Sequence, residues 1–126
     1  MTKEFKDIKG VIAIATTPFN NENLIDFESV DRLSNYYIES KVSGVTILGV
    51  MGEAHKLNIE EQKTLIKRYV NNLINSVPVI VGVSNAGLDN LELLSKFSMD
   101  SGASGVMVSG NNAVSYTHLT LPTMIR

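Results

Sequence analysis

The chain contains no cysteine, which excludes a disulfide framework and any thiol or thiolate-metal chemistry. An excess of one charge is also missing. Eleven Lys and Arg stand against 13 Asp and Glu, a net charge of −2, and the cations are scattered along the chain. A nucleic-acid binder shows a clustered basic patch, so nucleic acid is not expected as a partner. No apolar run approaches the ~20 residues that cross a bilayer. The opening decapeptide MTKEFKDIKG is charged and has no signal-peptide core. No membrane partner and a cytoplasmic location are expected. The two histidines have no metal-ligand spacing, so neither a metal nor a cofactor is expected.

What is present is apolar and regularly arranged. Hydrophobic residues make up 44% of 126 residues, ample for one core, in one domain or part of one. Four short runs read as strands: Val11–Ala15, Val45–Leu48, Val79–Val83 and Val106–Val108. They are continuous rather than alternating, as strands buried on both faces should be. Their starts lie 34, 34 and 27 residues apart, and each gap holds one helix pattern. That is β-α-β-α-β-α-β, the pattern of a parallel sheet. The first helix should open near Asp26, with Phe27, Val30, Leu33 and Tyr37 on one face. The second should open at Asn58 with Glu61 as capping-box partner, burying Leu65, Ile66, Tyr69, Val70, Leu73 and Ile74. The third should open at Asp89 with Glu92 as its box partner, turning Leu91, Leu94 and Phe97 inward. Pro78 precedes the third strand, where its missing N–H removes no ladder bond.

From Val114 the texture changes, and no helix pattern follows the fourth strand. Residues 114–123, VSYTHLTLPT, match a translation of GTC TCT TAT ACA CAT CTG ACG CTG CCG ACG, the end of a transposon-based sequencing adapter, so an adapter read-through is expected here, the alternative being a natural irregular loop. The expected division is therefore 1–113, native, and 114–126, a non-native tail. Tyr116 and His118 carry no function on this reading.

Polar and flexible residues gather at the carboxyl ends of the expected strands: Thr16-Thr17-Pro18, Gly49 to Glu53, Gly82 to Asn85, and Ser109 to Asn112. In α/β folds that end of the sheet is where ligands bind. The most pointed of these segments is Gly49-Val50-Met51-Gly52-Glu53. A glycine-bracketed turn after a buried strand offers backbone N–H groups to an anion.

Four segments, AIATTPF (13–19), GVTILGVMGEAHKLN (44–58), PVIVGVSNAG (78–87) and DSGASGVMVS (100–109), resemble in order and spacing the dihydrodipicolinate synthase/N-acetylneuraminate lyase family. The resemblance runs from Lys9 to about Asn112 and implies the first units of a (β/α)₈ TIM barrel, a fold of about 250 residues. It implies a class I aldolase chemistry. A lysine at the end of the sixth strand forms a Schiff base with pyruvate or a related 2-oxo acid, and a neighbouring carbon–carbon bond is made or broken. It further implies a relay tyrosine after the fourth strand and a carboxylate-holding turn after the second. Only the turn has a counterpart here. Gly49, Val50, Met51, Gly52 and Glu53, together with Thr17, are the expected substrate-binding residues. The family's two middle turn positions usually carry hydroxyls, and Val50 and Met51 do not. The segment after the fourth strand, Gly110-Asn111-Asn112, lacks the tyrosine. The full-length protein is expected to be a homo-oligomer and the printed chain to be inactive.

For single residues the plain reading competes with the chemical one. Glu53 could be a base, or could cap a neighbouring helix. His55 could be a base, or could sit on the surface. Thr16 and Thr17 could touch substrate, or could shape the pocket floor through backbone bonds. Met51 could wall a pocket. Asn85 reads as a turn residue, Tyr36, Tyr37 and Tyr69 as packing, and Lys56, Lys63 and Lys67 as surface charges. The alternative architecture is a small flavodoxin-like sheet that binds a phosphate or flavin at its switch point, although no G-x-G-x-x-G or P-loop is present.

Overall fold

The computed structural model describes residues 9–85 and 87–109. The expected boundary near residue 113, the tail, Tyr116 and His118 lie outside them. In chain order the elements are β1 (Ile12–Ile14), α1 (Phe27–Glu39), β2 (Gly44–Ile47), α2 (Ile59–Leu73), β3 (Val79–Gly82), α3 (Leu88–Ser101) and β4 (Gly105–Met107), with a 3₁₀ turn at Ala54–Lys56.

Two helices begin where the capping chemistry places them. Asp26 caps α1, accepting from the Ser29 N–H and, at 2.8 Å, from its hydroxyl. Asn58 and Glu61 form a reciprocal capping box on α2, with bonds of 2.8 and 2.9 Å. The third helix departs from expectation. Its cap is Gly87, and Asp89 lies inside the first turn, so the Asp89–Glu92 box does not form. The Oδ1 of Asn85 accepts the Gly87 N–H at 3.0 Å, and this side-chain turn sets the helix going two residues earlier.

The four strands form one parallel sheet in the order β1-β2-β3-β4. No reversal of order, and hence no switch point, occurs, so the flavodoxin-like alternative is not the fold adopted. Val45, Ile47, Val79 and Val81 project from one face into a single core with Val30, Leu65, Ile66, Tyr69, Val70, Leu73 and Leu94. Each of these is essentially inaccessible to solvent, and together they supply the main stabilising burial, about 25 cal/mol per Å² of apolar surface removed from water. The buried polar groups on this side are paired: Ser34 donates to the Val30 carbonyl at 2.8 Å, and Gln62 donates to Ala54 and Leu57.

The other face is different. Register pairs Ile14 with Thr46, Thr46 with Ile80, and Gly82 with Met107. With side chains alternating along each strand, Ile12, Ile14, Thr46, Ile80 and Met107 share this second face. No helix covers it among the described residues, and Ile12 and Ile14 are 37% and 54% exposed. The expectation that β1 is buried on both faces therefore fails at these positions. Thr46 and Ile80 on the same face are buried, so the exposure is concentrated at the β1 border. Tyr36, expected to pack, is exposed, with its ring set edge-to-face against that of Tyr37, 5.9 Å between centroids.

Candidate functional site

All four strands deliver their carboxyl ends to the same side of the sheet, because the sheet is parallel. A cleft of about 170 Å³ opens there, lined by Leu48, Gly49, Val50, Ala54, His55, Gly82, Ser84, Met107 and Ser109. These come from the ends of β2, β3 and β4. The Ser109 N–H donates to the Ser84 hydroxyl at 2.7 Å and ties the last two strand ends together.

The turn after β2 is the most constrained segment of this rim. Leu48 has φ +57° and Glu53 φ +55°, a left-handed conformation that a residue with a Cβ adopts at a cost of about 1 kcal/mol or more. Both bracket the Gly49–Gly52 segment. The bend is held by close backbone approach. A Cβ on Gly82 would lie 2.4 Å from the Leu48 carbonyl oxygen, and one on Gly52 would lie 3.0 Å from the Leu48 nitrogen. Only glycine lets β3 run this close beneath the end of β2.

Within the turn the Gly52 N–H donates to the Gly49 carbonyl at 3.1 Å and the Glu53 N–H to the Val50 carbonyl at 3.0 Å. These two donors are therefore occupied. The N–H groups of Val50 and Met51 have no partner among the described residues. The turn presents the adjacent Val50 and Met51 donors, and an anion held by both would need no side chain.

Thr17 does not line the cleft. It is buried, and its hydroxyl donates to the Gly52 carbonyl at 2.6 Å across 35 residues of sequence. Beneath it, the fully buried Tyr69 of α2 donates to the Thr16 carbonyl at 2.9 Å. Burial pushes the Tyr69 phenol well above its usual range, and the Tyr37 phenol up as well, so both phenols stay neutral at any ordinary pH. The sequence of bonds Tyr69–Thr16 and Thr17–Gly52 joins α2, the end of β1 and the turn. Sequence reading reached Thr17 but not Tyr69 as a member of this chain. Only its place on the buried helix face was legible.

The remaining candidates fall as follows. Glu53 precedes the 3₁₀ turn without a side-chain capping bond, and its carboxylate meets the Lys56 ammonium at 2.5 Å. Met51 is 59% exposed and is not part of the cleft wall, whereas Val50 is. His55 lies on the cleft wall, which the sequence did not signal. Lys63 and Lys67 sit over the Phe97 ring, at 5.4 and 5.9 Å, on the outer helix surface. Among the described residues no group of three His, Cys, Asp or Glu is placed to hold a metal ion.

A sequential parallel sheet with helices on one face and its ligand-facing loops at the carboxyl ends is an arc of a (β/α)₈ barrel. The comparisons agree, and they narrow the class: the chain belongs to the dihydrodipicolinate synthetase family, whose profile matches residues 7–110. It is 35% identical over 100 residues to 4-hydroxy-tetrahydrodipicolinate synthase of Thermotoga petrophila, a match covering 79% of this chain and 34% of that protein. The structure superposes on a dihydrodipicolinate synthase from Rhodopseudomonas palustris with a TM-score of 0.84 and 39% identity, over 90% of this chain and 38% of the other. It also superposes on YagE of Escherichia coli K12, a prophage protein of the same family solved with pyruvate, with a TM-score of 0.76 and 27% identity. That match covers 79% of this chain and 33% of YagE. The chain thus spans about a third of the length of these relatives.

Proposed function

We propose that this chain is the amino-terminal arc of a lyase that forms a Schiff base with pyruvate or a related 2-oxo acid. The turn from Gly49 to Glu53 would hold the substrate carboxylate. The observation that carries this reading is the pair of N–H groups, Val50 and Met51, without a partner among the described residues, on a strained turn at the strand ends. Thr17 acts one step back, fixing the Gly52 carbonyl so that the two donors stay aimed. Pyruvate in the YagE complex supports the substrate class.

The side-chain hydroxyls usual in this turn are replaced by Val50 and Met51, so carboxylate binding here rests on backbone donors alone. The covalent step belongs to a lysine outside this chain. Lys56 is the one described lysine that follows a strand's carboxyl end closely, and it is paired with Glu53. The chain by itself should therefore be inactive. The full-length protein would be a cytoplasmic homo-oligomer.

Borohydride trapping tests the reading. Pyruvate and borohydride, followed by intact mass, should leave the 126-residue chain unmodified and should label one lysine of the full-length protein. A stoichiometric adduct on a single site of this chain would overturn the assignment. In the full-length protein, Val50→Thr with Met51→Thr should tighten pyruvate binding, a hydroxyl bond to a charged group being worth roughly 1.5–3 kcal/mol. Unchanged or weaker binding would show that the site is built around another ligand.

A further inference from the structure

On the reading of this chain as part of a 2-oxo acid lyase, we propose that Ser84 is a substrate-binding residue. Its hydroxyl donates, from the strand beside the turn, to the carboxylate held on the Val50 and Met51 amides. Strand register brings these groups together. Gly82 pairs with Met107, so both project from the same face of the sheet. Two residues on, alternation returns Ser84 and Ser109 to that face, at the carboxyl ends of β3 and β4. The turn after β2 crosses the same corner. A Cβ on Gly82 would meet the Leu48 carbonyl, and one on Gly49 would lie 3.8 Å from the Met107 Cε. Gly49, Val50 and Ser84 accordingly line one cleft.

The partner of Ser84 leaves its proton available. The Ser109 N–H donates to the Ser84 Oγ at 2.7 Å. That bond occupies a lone pair of the oxygen and leaves the hydroxyl proton to be donated. The proton has no acceptor among the described residues. Ser84 is exposed and borders the cleft, so a ligand can reach it. A hydroxyl that already accepts a hydrogen bond is the stronger donor, because linked bonds polarise one another. The same N–H fixes the side chain before a ligand arrives, which lowers the ordering cost of binding. Among the described residues no Lys, Arg, Asp or Glu lines the cleft, and Leu48, Val50, Ala54 and Met107 give it apolar walls. A carboxylate there meets neutral donors. The turn itself brings backbone N–H groups, and Ser84 adds the hydroxyl from outside it.

Borohydride trapping of pyruvate by the full-length protein, followed as initial rate against pyruvate concentration, tests this. Ser84→Ala should raise the half-saturating pyruvate concentration about tenfold, the loss of one hydrogen bond to a charged group. The maximal rate should change much less, since the trapped lysine is untouched. Val50→Thr supplies a hydroxyl from the turn instead. Added to Ser84→Ala it should recover most of the lost affinity, and added to the parent it should gain less. A serine that only braced the end of β4 would not be rescued from the turn. An unchanged half-saturating concentration in Ser84→Ala overturns the assignment, and so does a loss that Val50→Thr leaves in full. The two readings fail separately. A parent protein that traps no 2-oxo acid sinks the lyase reading, whereas a parent that traps pyruvate beside an unaffected Ser84→Ala variant refutes Ser84 alone.

Discussion

Replacing Gly82 by alanine should be among the most damaging small substitutions available to this chain. The new Cβ would stand 2.4 Å from the Leu48 carbonyl oxygen and 2.9 Å from its carbon, about 1 Å inside a comfortable non-bonded contact of ~3.5 Å. Leu48 has little room to retreat. Its side chain is buried, its φ is already +57°, and Gly52 packs against its nitrogen from the other side. Overpacking of this kind costs about 1–3 kcal/mol. Against it stands the ordinary benefit of removing a glycine from the unfolded chain, about 0.4–1 kcal/mol. The net loss should be about 1–2 kcal/mol, or roughly 5–15 °C in Tm for a domain of this size. Gly49→Ala is the control. Its Cβ would meet only the Met107 Cε, at 3.8 Å, so its stability should be unchanged or slightly raised. Thermal and urea melts at one matched protein concentration measure both variants. A Gly82→Ala chain that melts at or above the parent, or a larger loss in Gly49→Ala, would show that the strand ends are not locked as described.

Asn58→Ala removes the side-chain half of the α2 capping box and should cost about 1 kcal/mol in a urea melt, with early hydrogen exchange confined to the first turn of α2. Tyr69→Phe leaves the Thr16 carbonyl without its Tyr69 donor. It should lose roughly 1 kcal/mol, and the Val50 and Met51 amide resonances should move although neither residue is hydrogen-bonded to Tyr69. Asp31 is held at a pKa of about 2, first by the bidentate Arg68 guanidinium and then by the Asn72 amide. A depressed carboxyl pKa stabilises the fold above the unfolded value near 4 and loses that contribution as pH falls toward 2. Both partners are over a third exposed, so solvent screening keeps the effect small. The Tm gap between the parent and Asp31→Asn should shrink across that pH window, and a gap that widens on acidification would reverse the assignment.

Sequence alone determined the order and type of the four strands and three α-helices, since continuous apolar runs and 3.6-residue stripes are local signals, but not the 3₁₀ turn at Ala54–Lys56. It also located the caps at Asp26 and Asn58, because a capping side chain bonds within three residues of itself. It marked the Gly49–Glu53 turn, whose glycines bracket a strand end. It erred at Asp89, where the Asn85 turn outcompeted a plausible box. What only the tertiary structure decided depends on groups far apart in the chain. Which face of β1 is left open follows from the helices covering a single side. That Thr17 serves the Gly52 carbonyl rather than the cleft is a contact across 35 residues. Which turn donors remain available, Val50 and Met51 but not Gly52 and Glu53, is settled by a bend that Gly82 permits from the neighbouring strand. Hydrophobic periodicity reports what a segment buries, and the register between segments reports what it can hold.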